Sequence, residues 1–154
     1  MPIRWDSVLV RHIAQELNEA LAGARLRAVR LDGHSRDFVL LFRECTLLWR
    51  LHPDRGYLRL RGALEPEDSD LRVRAKVRRV TAPVDERLVR FELLAERGHR
   101  GSVELVVELL GNQWNAVVTE GPESIIRHVL KRRERPRALW VGQRYVPHRR
   151  RDAS

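Results

Sequence analysis

Apolar residues near the N-terminus recur at the spacing of an α-helix. Over Val8–Ala22, one helical face carries the apolar residues Val10, Ile13, Leu17 and Leu21. Asp6 or Ser7 offers a side-chain oxygen for the N-terminal cap, and Gly23 provides a C-terminal stop. The pattern therefore predicts an amphipathic helix over Val8–Ala22.

After this helix the apolar period changes to two residues, which is typical of β-strands. The strand-like segments are Arg25–Leu31, Phe38–Phe42, Thr46–Leu51, Tyr57–Arg61, Leu71–Val80, Glu86–Leu94, Val103–Leu110 and Ala116–Thr119. Ile125–Leu130 fits either a further strand or a short helix. We predict an α+β fold, an antiparallel β-sandwich with a flanking N-terminal helix, over residues 1–148, and a basic tail at 149–154.

The alternation also assigns the faces of several strands. In the first strand, Leu26 and Ala28 share one face and Val29 lies on the other. In the fourth strand, Leu58 and Leu60 are expected to point inward. The fifth strand alternates apolar with basic residues, which are Arg72, Arg74, Lys76 and Arg78, with Arg79 out of step.

One carboxylate interrupts the apolar strand Val103–Leu110. Burying Glu108 costs free energy unless another group donates a hydrogen bond to it. One interpretation is that Glu108 faces the solvated side of the sheet. The alternative is that Glu108 and the turn Gly111–Asn115 form one hydrogen-bonded corner.

Composition and charge favour a polyanionic partner. The chain has 154 residues, of which 43% are hydrophobic, so it can form one domain with a core. Its formal net charge is +9, its pI is near 11.1, and most of its cations are arginines. Arginine suits phosphate recognition, and a surplus of this size favours nucleic acid over a merely solvated surface.

Other classes of protein are disfavoured. Cys45 is the only cysteine, so we expect neither a disulfide framework nor a cysteine zinc site, which fits a cytoplasmic protein. No apolar run is long enough to span a membrane, and the N-terminus lacks the apolar region of a signal peptide. The six histidines show no metal-ligand spacing, and no catalytic set is evident. We therefore expect no enzyme activity, no metal and no cofactor.

Four motifs, in order, resemble the NFACT N-terminal domain of fibronectin-binding-protein-A-like proteins and ribosome quality-control factors. The most specific resemblance is Glu108, Leu109, Gly111 and Asn115, with Leu110 replacing a methionine. The helix from Asp6 to Gly23 and the segment Glu86–Glu92 are similar to the family's opening helix and Asp-Arg strand. The last resemblance is to the family's closing segment, at Arg137, Ala138, Leu139, Gly142, Tyr145 and Pro147.

This resemblance implies a fold like the N-terminal domain of formamidopyrimidine-DNA glycosylase and a role in binding tRNA and the large ribosomal subunit. The family's tRNA-handling positions fall on Asp6, Glu86 and Arg87. Basic residues near them or on the fifth strand complete the expected nucleic-acid-binding set: Arg74, Lys76, Arg78 and Arg90. The family's coiled coil and second NFACT domain are not in this chain.

Two departures from the family pattern stand out. The interval Ala63–Ala82 is too short for the family's second helix, and the Asp-Arg pair is Glu86-Arg87 unless Asp85 takes the acidic role. Two other functions stay open. A glycosylase-like domain could use the amine of Pro2, although Ile3 replaces the adjacent acid. A protein-binding module is the other alternative.

Overall fold

The computed structural model describes residues 6–84, 86–96, 102–135 and 137–147. The helix α1 spans Ser7–Leu21. The strands are β1 (Arg25–Asp32), β2 (Asp37–Phe42), β3 (Thr46–Arg50), β4 (Tyr57–Arg61), β5 (Leu71–Thr81), β6 (Leu88–Ala95), β7 (Val103–Glu108), β8 (Asn115–Glu120) and β9 (Ile125–Val129). Pro2, Ile3, Asp85 and the predicted tail at 149–154 lie outside the described residues.

The N-terminal helix forms where the sequence predicts it. The Asp6 carboxylate caps α1 by accepting a hydrogen bond from the Leu9 N–H at 2.9 Å. Gly23 follows the helix with φ +83°, a conformation that glycine adopts without a steric penalty. The apolar face packs against β5 and β6 and buries Val10, Ala14, Leu17 and Leu21.

The strands form one continuous antiparallel sheet in the order β4-β3-β2-β1-β5-β6-β7-β8-β9. Two meanders, β1–β4 and β5–β9, are joined because β1 pairs with both β2 and β5. The α+β class is confirmed. The two separate sheets of a sandwich are not confirmed, since this shared strand joins both halves into one sheet.

Strong curvature lets this single sheet enclose a core. Phe38 of β2 and Phe91 of β6 lie three strand spacings apart, which is about 14 Å on a flat sheet. Their ring centroids are nevertheless 6.0 Å apart. The turn after β1 also approaches the end of β9, because a Cβ on Gly33 would come within 2.6 Å of the Leu130 carbonyl oxygen. The concave face therefore closes around its own side chains, with α1 on the same side.

The opposite face of the sheet carries two smaller apolar clusters, one on β1–β3 and the other on β6–β9. Leu139 and Tyr145, from the chain after β9, pack over the cluster on β6–β9. That cluster contains Leu88, Val106, Val117 and Ile126. Charged residues occupy the same face of β5 and leave it exposed.

The predicted faces of β1 are wrong because the strand contains a β-bulge. The pairing register shifts between Leu26 and Ala28 on both sides of the strand. Because a bulge inserts one residue, Leu26 and Val29 both enter the main core, and Ala28 packs on the opposite face. A simple period of two cannot reveal such an insertion.

Other predictions of local structure also have clear outcomes. Leu60 was expected to point inward, but it is 49% exposed because β4 is the edge of the sheet. Glu86 and Arg87 lie just before β6, which begins at Leu88. Ile125–Val129 is a strand and not a helix, because its backbone pairs with β8.

Candidate functional site

A cleft lies at the end of the sheet where β7 ends and β6 and β8 begin. Its volume is about 670 Å³. It is lined by the three predicted tRNA-handling residues, Asp6, Glu86 and Arg87, and by three residues that match the hairpin motif, Glu108, Gly111 and Asn115. The other lining residues are Ser7, Leu110, Asn112, Gln113, Arg133, Arg135, Arg137 and Leu139. The fold thus brings residues from the first, middle and last parts of the chain into one site.

Glu108 is buried in the wall of this cleft and is 2% exposed. The Arg137 Nη2 donates to both Glu108 carboxylate oxygens at 2.8 Å, and the Tyr145 hydroxyl donates to Oε2 at 2.6 Å. Both sequence-based interpretations of Glu108 were wrong about its surroundings. It does not face solvent, and its donors come from the C-terminal segment and not from the turn Gly111–Asn115.

This buried corner is built to hold Glu108 in place. Burial, together with the nearby Glu108 carboxylate, raises the pKa of Tyr145, so its hydroxyl keeps the proton that it donates. Arg137 also donates to the Val146 carbonyl oxygen at 2.6 Å, so one guanidinium links β7 to the chain beyond residue 145. Removing one partner of such a buried pair leaves an uncompensated charge.

The hydrogen bonds of Asn115 explain why an amide side chain occupies this position of the hairpin motif. Its Oδ1 accepts from the Lys131 N–H at 2.9 Å, and its Nδ2 donates to the Lys131 carbonyl at 2.7 Å. The side chain thereby imitates a strand backbone and fixes the segment that follows β9. Two residues later, this segment places Arg133 in the cleft.

Gly111 shapes the turn between β7 and β8. It adopts φ +55°, in the left-handed region where a side chain is disfavoured. Its carbonyl oxygen accepts from the Trp114 indole N–H at 3.1 Å, which anchors the turn to a buried ring. The turn therefore presents the exposed side chains of Asn112 and Gln113 to the cleft.

A short arginine hairpin also lines the cleft. Arg133 and Leu139 exchange two backbone hydrogen bonds, of 3.0 and 2.8 Å. The hairpin contributes the alternating residues Arg133, Arg135 and Arg137 to the lining. Neither Arg133 nor Arg135 was predicted as a site residue, although their period of two beside Arg137 is visible in the sequence.

The cleft carries charges of both signs. Among the described residues, the side chains of Arg87, Arg133 and Arg135 have no hydrogen bond or ion pair, and neither does that of Glu86. The Asp6 carboxylate caps α1, and Glu108 is paired with Arg137. The free groups therefore combine phosphate-binding cations with a carboxylate that can accept from an amino group.

The remaining predicted residues lie outside the cleft. Arg90 forms an ion pair with Glu104 on the outer face of the sheet. Arg74, Lys76 and Arg78 are exposed on β5, and no carboxylate of the described residues pairs with them. We refer to Arg72, Arg74, Lys76 and Arg78 as the β5 basic strip. The predicted residues thus divide between the cleft, the strip and one ion pair.

In the described part of the chain, no group of three or more His, Cys, Asp or Glu side chains could hold a metal ion. The described helix is too short and too polar to cross a membrane.

Solved structures show the same fold. The N-terminal domain of fibronectin-binding protein PavA from Streptococcus pneumoniae matches with a TM-score of 0.74 and 20% identity, over 96% of this chain and 63% of that chain. The N-terminal part of the fibronectin/fibrinogen-binding protein FBPS from Streptococcus suis matches with a TM-score of 0.73 and 20% identity, over 96% of this chain and 62% of that chain. The fibrinogen-binding protein from Staphylococcus aureus matches with a TM-score of 0.71 and 16% identity, over 96% of this chain and 57% of that chain.

These identities establish a shared fold and nothing finer. The chain spans less than two thirds of the length of each of these structures. No family model matches the chain, and no curated protein sequence matches it. The resemblance found in the sequence is therefore confirmed at the level of the fold shared with N-terminal domains of fibronectin-binding proteins. Membership of the NFACT family and likeness to the glycosylase domain stay predictions.

Proposed function

We propose that this chain is an NFACT-like, non-catalytic RNA-binding domain of translation quality control that acts in the cytoplasm. Its partners would be tRNA and large-subunit ribosomal RNA. The observation that carries the proposal is the convergence of Asp6, Glu86 and Arg87 with the arginine hairpin in one cleft. These three positions are the ones that the sequence resemblance assigns to tRNA handling.

The chemistry of the cleft suits a nucleotide within folded RNA. Arg87, Arg133 and Arg135 can hold phosphate oxygens, since guanidinium groups donate in a planar fork. Glu86 can accept from a base amino group, and Gln113 can donate to or accept from a base edge. A cleft with cations alone would bind any anion, so the free carboxylate supports a ligand that also carries donors.

The β5 basic strip supports a second contact with the RNA backbone. Successive residues on one face of a strand are about 7 Å apart, so the strip presents its charges as a row. Contacts of this kind position nucleic acid without reading sequence. The proposed division of labour is therefore recognition in the cleft and nonspecific attachment on the strip.

The direct test is tRNA binding measured across a salt series. Affinity should fall steeply between about 50 and 200 mM salt, because bound phosphates release counterions. The double variant Arg133→Gln, Arg135→Gln should weaken binding by roughly ten-fold. A matched variant, Arg43→Gln with Arg55→Gln, removes two exposed arginines outside the cleft and should have a smaller effect. Salt-independent affinity, or equal effects of both double variants, would contradict the proposal.

A second candidate function is protein binding. It is favoured by the names of the structures with this fold, which describe fibronectin- and fibrinogen-binding proteins. Binding of the purified chain to immobilised fibronectin and fibrinogen, at physiological salt and after nuclease treatment, tests this candidate. Saturable binding that survives the nuclease supports it, and no binding to either protein counts against it.

A further inference from the structure

The two edges of the sheet differ in how they are protected. At one edge, Ile126 of β9 donates its N–H to the Gln143 carbonyl and accepts from the Gly142 N–H, both at 2.8 Å. At the other edge, β4 pairs with β3. On its outer side, β4 forms no backbone hydrogen bond with any described residue. An uncovered edge of this kind is a template for an additional strand.

The hydrogen-bond alternation identifies the free groups of β4. The Leu51 N–H, directly after β3, donates to the Arg36 carbonyl on the β2 side. Because bonding direction alternates along a strand, Leu48 and its alternate neighbours bond to β4 instead. Their partners on β4 are Tyr57, Arg59 and Arg61. Leu58 and Leu60 consequently direct their N–H and C=O groups outward.

The side chains of this edge define what can pair with it. Arg59 and Arg61 are exposed and share one face, and neither has an ion pair among the described residues. Leu60, on the other face, is 49% exposed. In an added antiparallel strand, residues opposite Arg59 and Arg61 would occupy non-hydrogen-bonded positions, where Cα atoms approach to about 4.5 Å. Carboxylates at those positions would complement both arginines.

We propose that the β4 edge binds an extended segment of another protein in which carboxylates alternate with apolar residues. A second copy of this chain fits poorly. Antiparallel self-pairing centred on Arg59, the one register that overlaps all of β4, places that residue opposite its own copy, and the shorter overlap centred on Leu60 places Arg59 opposite Arg61. Like charges at opposed positions destabilise a strand pair. The inference specifies the partner for the protein-binding candidate and is independent of RNA binding in the cleft.

Amide exchange on the whole chain tests the proposed geometry. The probe is a peptide of about ten residues that alternates Glu with Val or Thr, which is long enough to span β4 at about 3.4 Å per residue. The control peptide has Lys in place of Glu. We expect the Glu peptide to protect the amides of Leu58 and Leu60, while the Arg59 amide, already bonded to β3, changes little. Protection confined to the cleft, or equal effects of both peptides, would overturn the proposal.

Two variants separate backbone pairing from charge. Leu60→Pro removes an outward N–H without removing a bond to β3, whereas Leu60→Ala keeps that N–H. We expect Leu60→Pro to weaken Glu-peptide binding by roughly ten-fold relative to Leu60→Ala, provided both retain the wild-type thermal midpoint. If Leu60→Pro does not fold, the amide protection of the wild-type chain decides alone.

The charge test uses Arg59→Glu with Arg61→Glu, which should reverse the preference toward the Lys peptide. Equal binding by the Pro and Ala variants, or competition by RNA for the same amides, would contradict strand addition. Self-association of the chain through β4 would also contradict it. Fibronectin binding without peptide binding would contradict strand addition at β4 but would still support protein binding as a function. Absence of tRNA binding alone would contradict the proposed RNA-binding function and would not bear on strand addition at β4.

Discussion

Two pairs of an acid and an arginine line the same cleft and are constructed in opposite ways. Glu108 and Arg137 are distant in sequence and joined by two hydrogen bonds, with Glu108 buried and Arg137 partly buried. Glu86 and Arg87 are adjacent in sequence, yet their side chains contact no hydrogen-bonding partner among the described residues. The first pair therefore holds the cleft together, and the second is free to meet a ligand. Substitutions should therefore affect stability in one pair and binding in the other.

The largest effect is expected from Glu108→Gln. Neutralising this carboxylate leaves the partly buried Arg137 without its counter-charge, so the free energy of unfolding should fall by about 3 kcal/mol in chemical denaturation. Glu104→Gln is the matched control, because Glu104 pairs with Arg90 on a more exposed part of the sheet. The control should lose less than about 1 kcal/mol. Equal losses in the two variants would show that the Glu108–Arg137 pair stabilises the fold no more than the Glu104–Arg90 pair does.

Asn115→Ala should be the next most damaging substitution. It leaves the Lys131 N–H and C=O without their side-chain partner, at a cost of about 2.5 kcal/mol in unfolding free energy. Since Asn115 also positions the segment bearing Arg133, tRNA affinity should fall at temperatures where the variant is still folded. Asn112→Ala, in the exposed turn of the same hairpin, should leave stability within about 0.5 kcal/mol of wild type. Unchanged stability of Asn115→Ala would show that the segment is held by other contacts.

A buried carboxylate outside the cleft shows how much burial and pairing alone contribute to stability. Asp70 is buried and accepts two hydrogen bonds of 2.7 Å from Arg30, which lower the pKa of Asp70 below its ordinary value of 3.8. A lowered pKa means that the ionised form stabilises the fold above this ordinary value. This contribution is lost as the pH falls through the lower, folded-state pKa.

Asp70→Asn should therefore cost about 2 kcal/mol at neutral pH and flatten the acid side of the stability profile. Urea denaturation between neutral pH and the acid limit measures both effects. Asp68→Asn, an exposed residue of the same loop, serves as the control and should leave the profile unchanged. If the loss of stability in acid persists in Asp70→Asn, it is caused by other carboxylates.

The smallest effect on folding, and the clearest on binding, is expected from Arg87→Ala. Because Arg87 is exposed and unpaired among the described residues, its loss should change the unfolding free energy by less than about 0.5 kcal/mol. Its affinity for tRNA should fall by roughly five-fold, as expected for one phosphate contact. Arg43→Ala, in the turn after β2, is the matched surface control. If Arg87→Ala destabilises the chain and leaves tRNA affinity intact, the contrast between the two pairs is wrong.

Local patterns in the sequence were sufficient for most of the secondary structure. The spacing of Val10, Leu17 and Leu21 predicted α1, and alternation predicted the positions of the strands to within a few residues. These signals survive because helical and strand periodicity is a property of neighbouring residues. The hairpin motif also pointed to Glu108, Gly111 and Asn115 before their contacts were known.

The cleft itself depended on tertiary structure. Glu108 meets Arg137 and Tyr145, 29 and 37 residues later, and no local period specifies such a pairing. The bulge in β1 and the exposure of Leu60 likewise follow from how strands pair and where the sheet ends. Local periodicity specifies which segments become helix and strands, and the composition supplies the surplus of arginines. Only the folding of the curved sheet decided which arginines are neutralised and which remain free, because burial and pairing are set by contacts between distant parts of the chain.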